Sequence, residues 1–326
     1  MPAPPSAEEP LSPHGPRITI LGTGALACAL AAHLARFGRA TVTVAGTWPQ
    51  ALEAIATHGV VVDEASGVWS ARVHSCPRSG PLGPADVVFV LVKSHQTEAV
   101  ARTAARCLLP ASRLVTLQSG IGNRETLEAA AGEGRVVQGL SLLAASVLGP
   151  GEVRVTPGRI VLGSEPSTAH TVKGVGELLR ESRLEVEVTT EIDRLVWGRL
   201  AVACSLEPLS ALTARAYGAL LETPEPCETL FKAAREVGAV AGAEGIDFGD
   251  DPASLAVEAA ESAAGSRSPM FNDLARGALT EIDALCGAVA REGERRGVPT
   301  PVNEYLWQRV REKEGRPLPS PPPAPA

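Results

Sequence analysis

Residues Arg17 to Leu21 read RITIL, and Gly22-Thr23-Gly24-Ala25-Leu26-Ala27 follows at once, with a helical pattern running on through Phe37. A short buried strand, a glycine-rich turn and a helix in that register admit few folds. The first glycine permits the tight turn, the second lets a pyrophosphate approach the backbone, and the small third residue lets helix pack closely on strand. The helix N-terminus then faces the phosphates. Gly22, Thr23, Gly24, Ala25, Leu26 and Ala27 are therefore candidate cofactor-binding residues, and the cofactor class is a dinucleotide.

The following segments continue the alternation of strand and helix. Thr41 to Ala45 reads as a second strand, ending where the adenosine ribose would sit. Dinucleotide folds place an acidic residue there for a 2′-hydroxyl or an arginine for a 2′-phosphate. The run Ala45-Gly46-Thr47-Trp48 contains neither, which leaves NADP and NAD both open. Val87 to Val92 (VVFVLV) is a continuous apolar run of the kind buried on both faces of a parallel sheet, and it delivers Lys93 and Ser94 to its carboxyl end. Gln96 to Leu108 reads as a helix, Arg113 to Leu117 as a strand, and Gln118 to Asn123 as the loop after it. Strand carboxyl ends line the ligand crevice of a doubly wound sheet, so Lys93, Gln118 and Ser119 are site candidates by position. The fold class expected over residues 17–189 is α/β, a Rossmann domain with a doubly wound parallel sheet.

Composition sets the limits of function. The chain has 326 residues, 44% hydrophobic and 21% charged, enough for two medium domains. A net charge of -7 offers nothing to attract nucleic acid or an anionic membrane. The six cysteines, Cys28, Cys76, Cys107, Cys204, Cys227 and Cys286, are scattered without a C-x-x-C pair or zinc spacing. They read as small apolar residues of a reducing compartment, and no metal is expected. With no secretory leader pattern and no run of about 18 uninterrupted apolar residues, the expected location is cytoplasmic. Residues 1–16 and 315–326 are proline-rich and read as disordered tails.

Residues 190–314 read as an all-α domain. Pro226 to Gly242, Ala275 to Arg296 and Val302 to Glu312 carry apolar residues at helical spacing, and WGRLAVACSLEPL, from Trp197 to Leu209, opens a long helix. Arg199, Ala203 and Glu207 follow at intervals of four and share one face. Their neighbours Leu200, Val202, Cys204 and Leu206 mark the helix as mostly buried. Three readings of the pair are a solvated face, a structural ion pair and a site. On a straight helix the two side chains are too far apart to touch, although Pro208 can bend its end. Within Ala275 to Arg296, Glu281 lies with Leu285 and Ala288 on one side. A carboxylate buried there either meets a cation such as Arg199 or holds a proton. Gly245 to Ser268, rich in Gly, Asp, Ser and Ala, reads as a mobile lid.

Several pieces in order and spacing resemble the ketopantoate reductase family, the NADPH-dependent 2-dehydropantoate 2-reductases. They are ILGTGALA, LVKSHQT (Leu91 to Thr97), LQSGIGNRETL (Leu117 to Leu127), LGPGEV (Leu148 to Val153), LVWGRLAV (Leu195 to Val202), PLSAL (Pro208 to Leu212) and LTEIDALCG (Leu279 to Gly287). The resemblance spans Arg17 to Glu314. It implies a Rossmann domain, a helical domain, substrate in a cleft between them, and a homodimer. The family's proton-donating lysine falls at Arg199, and its asparagines one and two turns on fall at Ala203 and Glu207. The asparagine of its Q-N-G loop is Ser119, and its substrate-binding serine falls at Pro269, beside Ser268. Glu281 and the cofactor-side Lys93 match. The resemblance thus assigns catalytic positions to Arg199, Glu281 and Glu207, and substrate-binding positions to Ser119, Ser268 and Ala203. It puts Lys93, Gln118 and Glu281 on the cofactor side.

Hydride addition to a ketone leaves an alkoxide that needs a proton. A buried lysine supplies one readily, whereas an arginine stays protonated. Arg199 can still stabilise negative charge or clamp a carboxylate, so the proton would come from Glu281 or water. Reduction of an iminium has no such requirement. The leading expectation is an NAD(P)H-dependent reductase of a small-molecule keto or imine group, with a substrate other than ketopantoate. A redox-neutral enzyme on the same scaffold, doing acid-base or cyclisation chemistry, is the alternative, and a non-catalytic metabolite sensor is the third reading.

Overall fold

The structure is a computed structural model that describes residues 15–165 and 168–317. Most of both expected tails therefore lies outside the described residues. At their inner ends, Pro16 O accepts Thr41 N at 3.0 Å, and Pro317 O accepts Arg311 Nε at 2.9 Å.

The chain divides into two compact units: the first runs to Gln118 and resumes over Asn123–Ile192, and the second comprises Ser119–Gly122 and the chain from Asp193 onward. The first unit contains β1 (Arg17–Leu21), α1 (Ala25–Arg36), β2 (Thr41–Gly46), α2 (Pro49–His58), β3 (Val60–Glu64), β4 (Gly67–Ala71), β5 (His74–Pro77) and β6 (Ala85–Val90). A single 3-10 turn, Ser94–Gln96, leads into α3 (Thr97–Arg106), β7 (Leu108–Thr116) and α4 (Asn123–Ala131). Then come β8 (Val136–Ser141), β9 (Ala144–Gly149), β10 (Glu152–Thr156), β11 (Arg159–Gly163), α5 (Ala169–Glu181) and β12 (Glu185–Thr189).

An eight-stranded sheet has the order β12-β11-β8-β7-β6-β1-β2-β5. All its neighbours run parallel except β8 and β11. The chain winds one way from β1 through β2 to β5 and the other way from β6 through β7, so strand order reverses at β1, where doubly wound sheets hold their ligands. A second sheet, β4-β3-β10-β9, packs on α1 as well. That explains the composition of α1. Every residue from Ala27 to Leu34 is buried, and a helix covered on both sides must be small and apolar all round rather than amphipathic.

Most strand and helix expectations hold to within one or two residues, but β7 begins at Leu108, five residues before the expected strand and on the last residue of the expected helix. β6 stops at Val90, two residues short of the expected strand, and Leu91 and Val92 form the turn that carries Lys93.

The second unit is helical: α6 (Ile192–Thr213), α7 (Tyr217–Leu221), α8 (Pro224–Ala243), α9 (Pro252–Ser262), α10 (Pro269–Ala275), α11 (Cys286–Arg296) and α12 (Pro301–Lys313). By length and composition α6 could cross a membrane, but 61% of its most apolar window is buried. It is the central helix of this unit's core, with Trp197, Leu200, Ala201, Cys204 and Leu206 packed among α8, α9 and α11 residues. Pro208 has no N–H to donate four residues back. Cys204 O, left without that partner, accepts a weak hydrogen bond from Cys286 Sγ of α11 at 3.6 Å.

Two expectations are corrected. Ala275 to Arg296 is not one helix: α10 ends at Ala275, the chain turns through Gly277 at φ +65°, and α11 starts only at Cys286. Glu281 therefore stands in a tight turn before the helix, where its carbonyl accepts Ala284 N at 2.9 Å and Leu285 N at 3.0 Å. Gly245 to Ser268, expected as a lid, holds α9, whose Ala253, Ala256 and Ala260 are buried against α8.

Candidate functional site

The glycine loop meets the physical demands of a pyrophosphate cradle. Gly22 has φ +137°, and a Cβ there would stand 2.6 Å from Leu91 O, so no other residue fits the turn. Its N–H donates to Ala45 O at 2.8 Å, and Leu91 N donates to Leu21 O at 2.9 Å. These bonds pin the loop between its two neighbouring strands. Gly24 is the N-cap of α1, exposed and without a side-chain cap. A Cβ on Gly24 would meet nothing within 4 Å and no side chain caps the first turn, an arrangement with room for an anion at the helix N-terminus. Ala27 is buried on the sheet side, while Thr23, Ala25 and Leu26 are half-buried. Thr23 leans on the end of β2, where a Cβ on Gly46 would lie 2.3 Å from Thr23 Cγ2.

A polar network ties the loops after β6 and β7 together. Gln118 Nε2 donates to Val92 O at 2.7 Å and to Thr97 Oγ1 at 2.8 Å. Thr116 Oγ1 donates to Gln118 Oε1 at 2.9 Å. Thr97 Oγ1 donates to Asn123 Oδ1 at 2.9 Å, and Asn123 Nδ2 reaches Ser94 Oγ at 3.3 Å. Gln118, a cofactor-side candidate by position, thus spends its amide on holding the backbone beside Lys93. Lys93 is half-buried and extended (φ -62°, ψ 145°), with its carbonyl accepting Gln96 N at 2.8 Å.

In the second unit, α6 brings Arg199 Nη2 within 3.9 Å of Glu207 Oε1. The expectation that they could not touch is corrected. About 12 Å of helix axis separates their Cα atoms at about 1.5 Å per residue, but Ala203 midway, 1% exposed, carries only a methyl group between two long side chains reaching toward each other. The Glu207 side chain is 11% exposed and that of Arg199 36%, so the carboxylate is largely buried while the guanidinium keeps part of its surface open. Tyr217, at the start of α7, was not foreseen. Burial first, and the Glu207 carboxylate next, push its hydroxyl pKa up against the opposing Arg199 charge. It is therefore a phenol in the electrostatic reach of both.

Ser268 is fully buried as the N-cap of α10. Its Oγ accepts Phe271 N at 3.0 Å and donates to Glu207 O at 3.0 Å, while its N–H donates to Ser210 Oγ at 3.1 Å. These bonds brace the Glu207 end of α6. Ala203 is likewise buried, midway between Arg199 and Glu207. Ser119 is half-buried in the bend where the chain enters the second unit. The Glu281 turn is held from both sides: Thr280 N donates to Glu314 Oε1 at 2.7 Å, and Asp283 accepts Trp307 Nε1, Arg311 Nη1 and Arg316 Nη2, each at 2.6 Å. Among the described residues no cluster of His, Cys, Asp and Glu could hold a metal ion, and the six cysteines are free thiols.

Residues 18–167 match the model of ketopantoate reductase PanE/ApbA, and residues 191–314 match that of its C-terminal domain. A 2-dehydropantoate 2-reductase of Archaeoglobus fulgidus is 30% identical over 298 residues, 90% of this chain and 97% of the relative. One from Halobacterium salinarum is 29% identical over 90% of this chain and 98% of its own length. Among solved structures, a PanE/ApbA family ketopantoate reductase from Ralstonia eutropha superposes with a TM-score of 0.85 at 28% identity, covering 92% of this chain and 98% of that one. D-mandelate dehydrogenase with NADH and anilino(oxo)acetate shares the fold at a TM-score of 0.85 and 22% identity, covering 92% of this chain and 98% of that one. The chain belongs to the ketopantoate reductase family and is an oxidoreductase.

Proposed function

We propose that the chain is an NAD(P)H-dependent reductase of a keto or imine group on a small molecule, and that its substrate is not ketopantoate. The observation that carries the reading is the uncapped N-terminus of α1 behind Gly22 and Gly24, with the Arg199–Glu207 pair in place of a lysine. The residues at the glycine loop fit the pyrophosphate of a dinucleotide, and Lys93 and Gln118 lie at the neighbouring strand ends. The nicotinamide group, when bound, supplies the hydride.

The chain's own residues supply charge and proton. A guanidinium is a donor that does not act as a proton source, so Arg199 stabilises a developing oxyanion or anchors a substrate carboxylate. Glu207 offsets part of that charge and aims the guanidinium across Ala203. The proton for an alkoxide then comes from Glu281, from water or from the Tyr217 hydroxyl, whose pKa is raised by burial first and by Glu207 next. Reduction of an iminium dispenses with that proton. The homodimer and cytoplasmic location that the resemblance and composition imply belong to the same reading.

The test is nicotinamide absorbance with NADPH or NADH against a panel of 2-oxo acids, simple ketones and cyclic imines, ketopantoate included. The expected outcome is turnover of a panel member at least about tenfold above ketopantoate, roughly 1.4 kcal/mol of transition-state preference. Ketopantoate as the best substrate would overturn the substrate claim. Nucleotide binding without oxidation by any member would move the chain to redox-neutral chemistry.

A further inference from the structure

The end of β2 carries neither of the residues that read an adenosine ribose. A different strand fills the position. β5 runs parallel to β2, with Thr43 opposite His74, Val44 opposite Ser75, Ala45 opposite Cys76 and Gly46 opposite Pro77. The next residue is Arg78. Its N–H donates to Gly46 O at 2.8 Å, so its Cα is locked beside the last residue of β2, on the carboxyl edge of the sheet.

The side chain turns inward over that edge. Arg78 Nη1 donates to Gln96 Oε1 at 3.4 Å, and Gln96 closes the turn after β6. In the sheet β1 and β2 lie between β5 and β6. A guanidinium held from the β5 end and directed to the β6 loop therefore overhangs the carboxyl ends of β1 and β2, where a dinucleotide's adenosine rests. It is half-buried, and among the described residues its guanidinium donates to a neutral amide at long range and to no carboxylate. Thr47, exposed at the same end, adds a hydroxyl.

We propose that Arg78 is the specificity residue for the 2′-phosphate, making this a reductase that prefers NADPH. The inference rests on the reductase reading above and goes beyond it by naming the residue that reads the cofactor's 2′-substituent. A phosphate dianion gains charge-assisted, fork-shaped hydrogen bonds from a guanidinium and displaces only the long bond to Gln96. A ribose 2′-hydroxyl gains little from the same group, and Ala45-Gly46-Thr47-Trp48 offers no carboxylate to accept its proton.

Calorimetric titration of the native chain and of Arg78→Ala and Arg78→Lys separates the possibilities. The probes are NADPH, NADH, adenosine 2′,5′-bisphosphate and AMP. Loss of a charge-assisted contact predicts that Arg78→Ala weakens NADPH and the bisphosphate about 10- to 100-fold, leaves NADH and AMP within about twofold, and that Arg78→Lys falls between. Unchanged NADH binding certifies that the variant is folded. Equal weakening of all four probes, or an NADPH preference that survives in Arg78→Ala, overturns this assignment alone. Native protein that binds no dinucleotide overturns the reductase reading and the assignment together.

Discussion

Asp283 anchors the turn that presents Glu281, and its replacement by asparagine has a calculable consequence. Its Oδ1 accepts Trp307 Nε1 and Arg311 Nη1, and its Oδ2 accepts Arg316 Nη2, all at 2.6 Å. Asparagine keeps the shape but turns one of these oxygens into an NH2 that faces a donor. Breaking a fully buried charge pair costs about 3–5 kcal/mol. The Asp283 side chain is 26% exposed, so water recovers part of the loss and about 2–3 kcal/mol is the expected cost. For a unit of this size that lowers Tm by about 5–10 °C. Burial of Asp283 works to raise its pKa, but the hydrogen bonds from Trp307, Arg311 and Arg316 outweigh it and the folded value is lowered. A lowered folded pKa contributes stability that is present above the unfolded value, about 3.9, and lost as pH falls through the folded one. Thermal melts of both proteins from neutral pH downward should show a constant gap to about pH 5 that closes below about pH 4. A gap under about 1 °C at neutral pH, or one that widens in acid, would refute the reasoning.

The two loop glycines should respond in opposite ways. Gly22→Ala forces a Cβ against Leu91 O at 2.6 Å and a φ of +137° on alanine, and should lower stability by about 2–3 kcal/mol in denaturant titration. Gly24→Asp meets open space and can cap α1, so Tm should hold or rise slightly, yet its carboxylate stands where phosphate would approach and dinucleotide affinity should fall more than about tenfold. A double-mutant cycle of Arg199→Met with Glu207→Gln should give a coupling of about 0.5–1 kcal/mol, modest because the pair is 3.9 Å apart and the arginine is 36% exposed. Arg199→Lys introduces a group whose pKa burial can lower; its rate should acquire a falling alkaline limb that the native rate, measured over the same pH range, does not show.

Sequence legibility followed the length scale of the physics. The strand, glycine loop and helix at Arg17 to Phe37 are local, and each glycine's role follows from backbone sterics, so that region was readable in detail. Periodicity located the long helices of the second unit, including α6. It failed at Ala275 to Arg296, where apolar residues continue at helical spacing through a turn that is set by contacts distant in sequence: Glu314 on Thr280, and Arg311, Arg316 and Trp307 on Asp283. The Arg199–Glu207 contact was misjudged from backbone rise alone, although Ala203 carried the signal: a residue without bulk between two long ones. Ser268, placed by the resemblance beside the family's substrate-binding position, is also the N-cap of α10, a role that draws on the same residue type and that the sequence alone did not single out. Arg78 left no trace in any motif. Its position depends on β5 pairing with β2, and a four-residue strand with two half-buried positions gives little periodic signal. Tyr217, ten residues beyond Glu207 in the chain, is likewise a tertiary neighbour only.

The most direct test is a titration of the native protein with NADPH and NADH, followed by nucleotide fluorescence and by heat. A working reductase binds one dinucleotide per chain with a Kd in the micromolar range, on the order of -8 kcal/mol, and takes NADPH more tightly than NADH. Absence of saturable binding by either form would contradict a reductase and leave Arg199, Glu207 and Glu281 as the residues of a redox-neutral site.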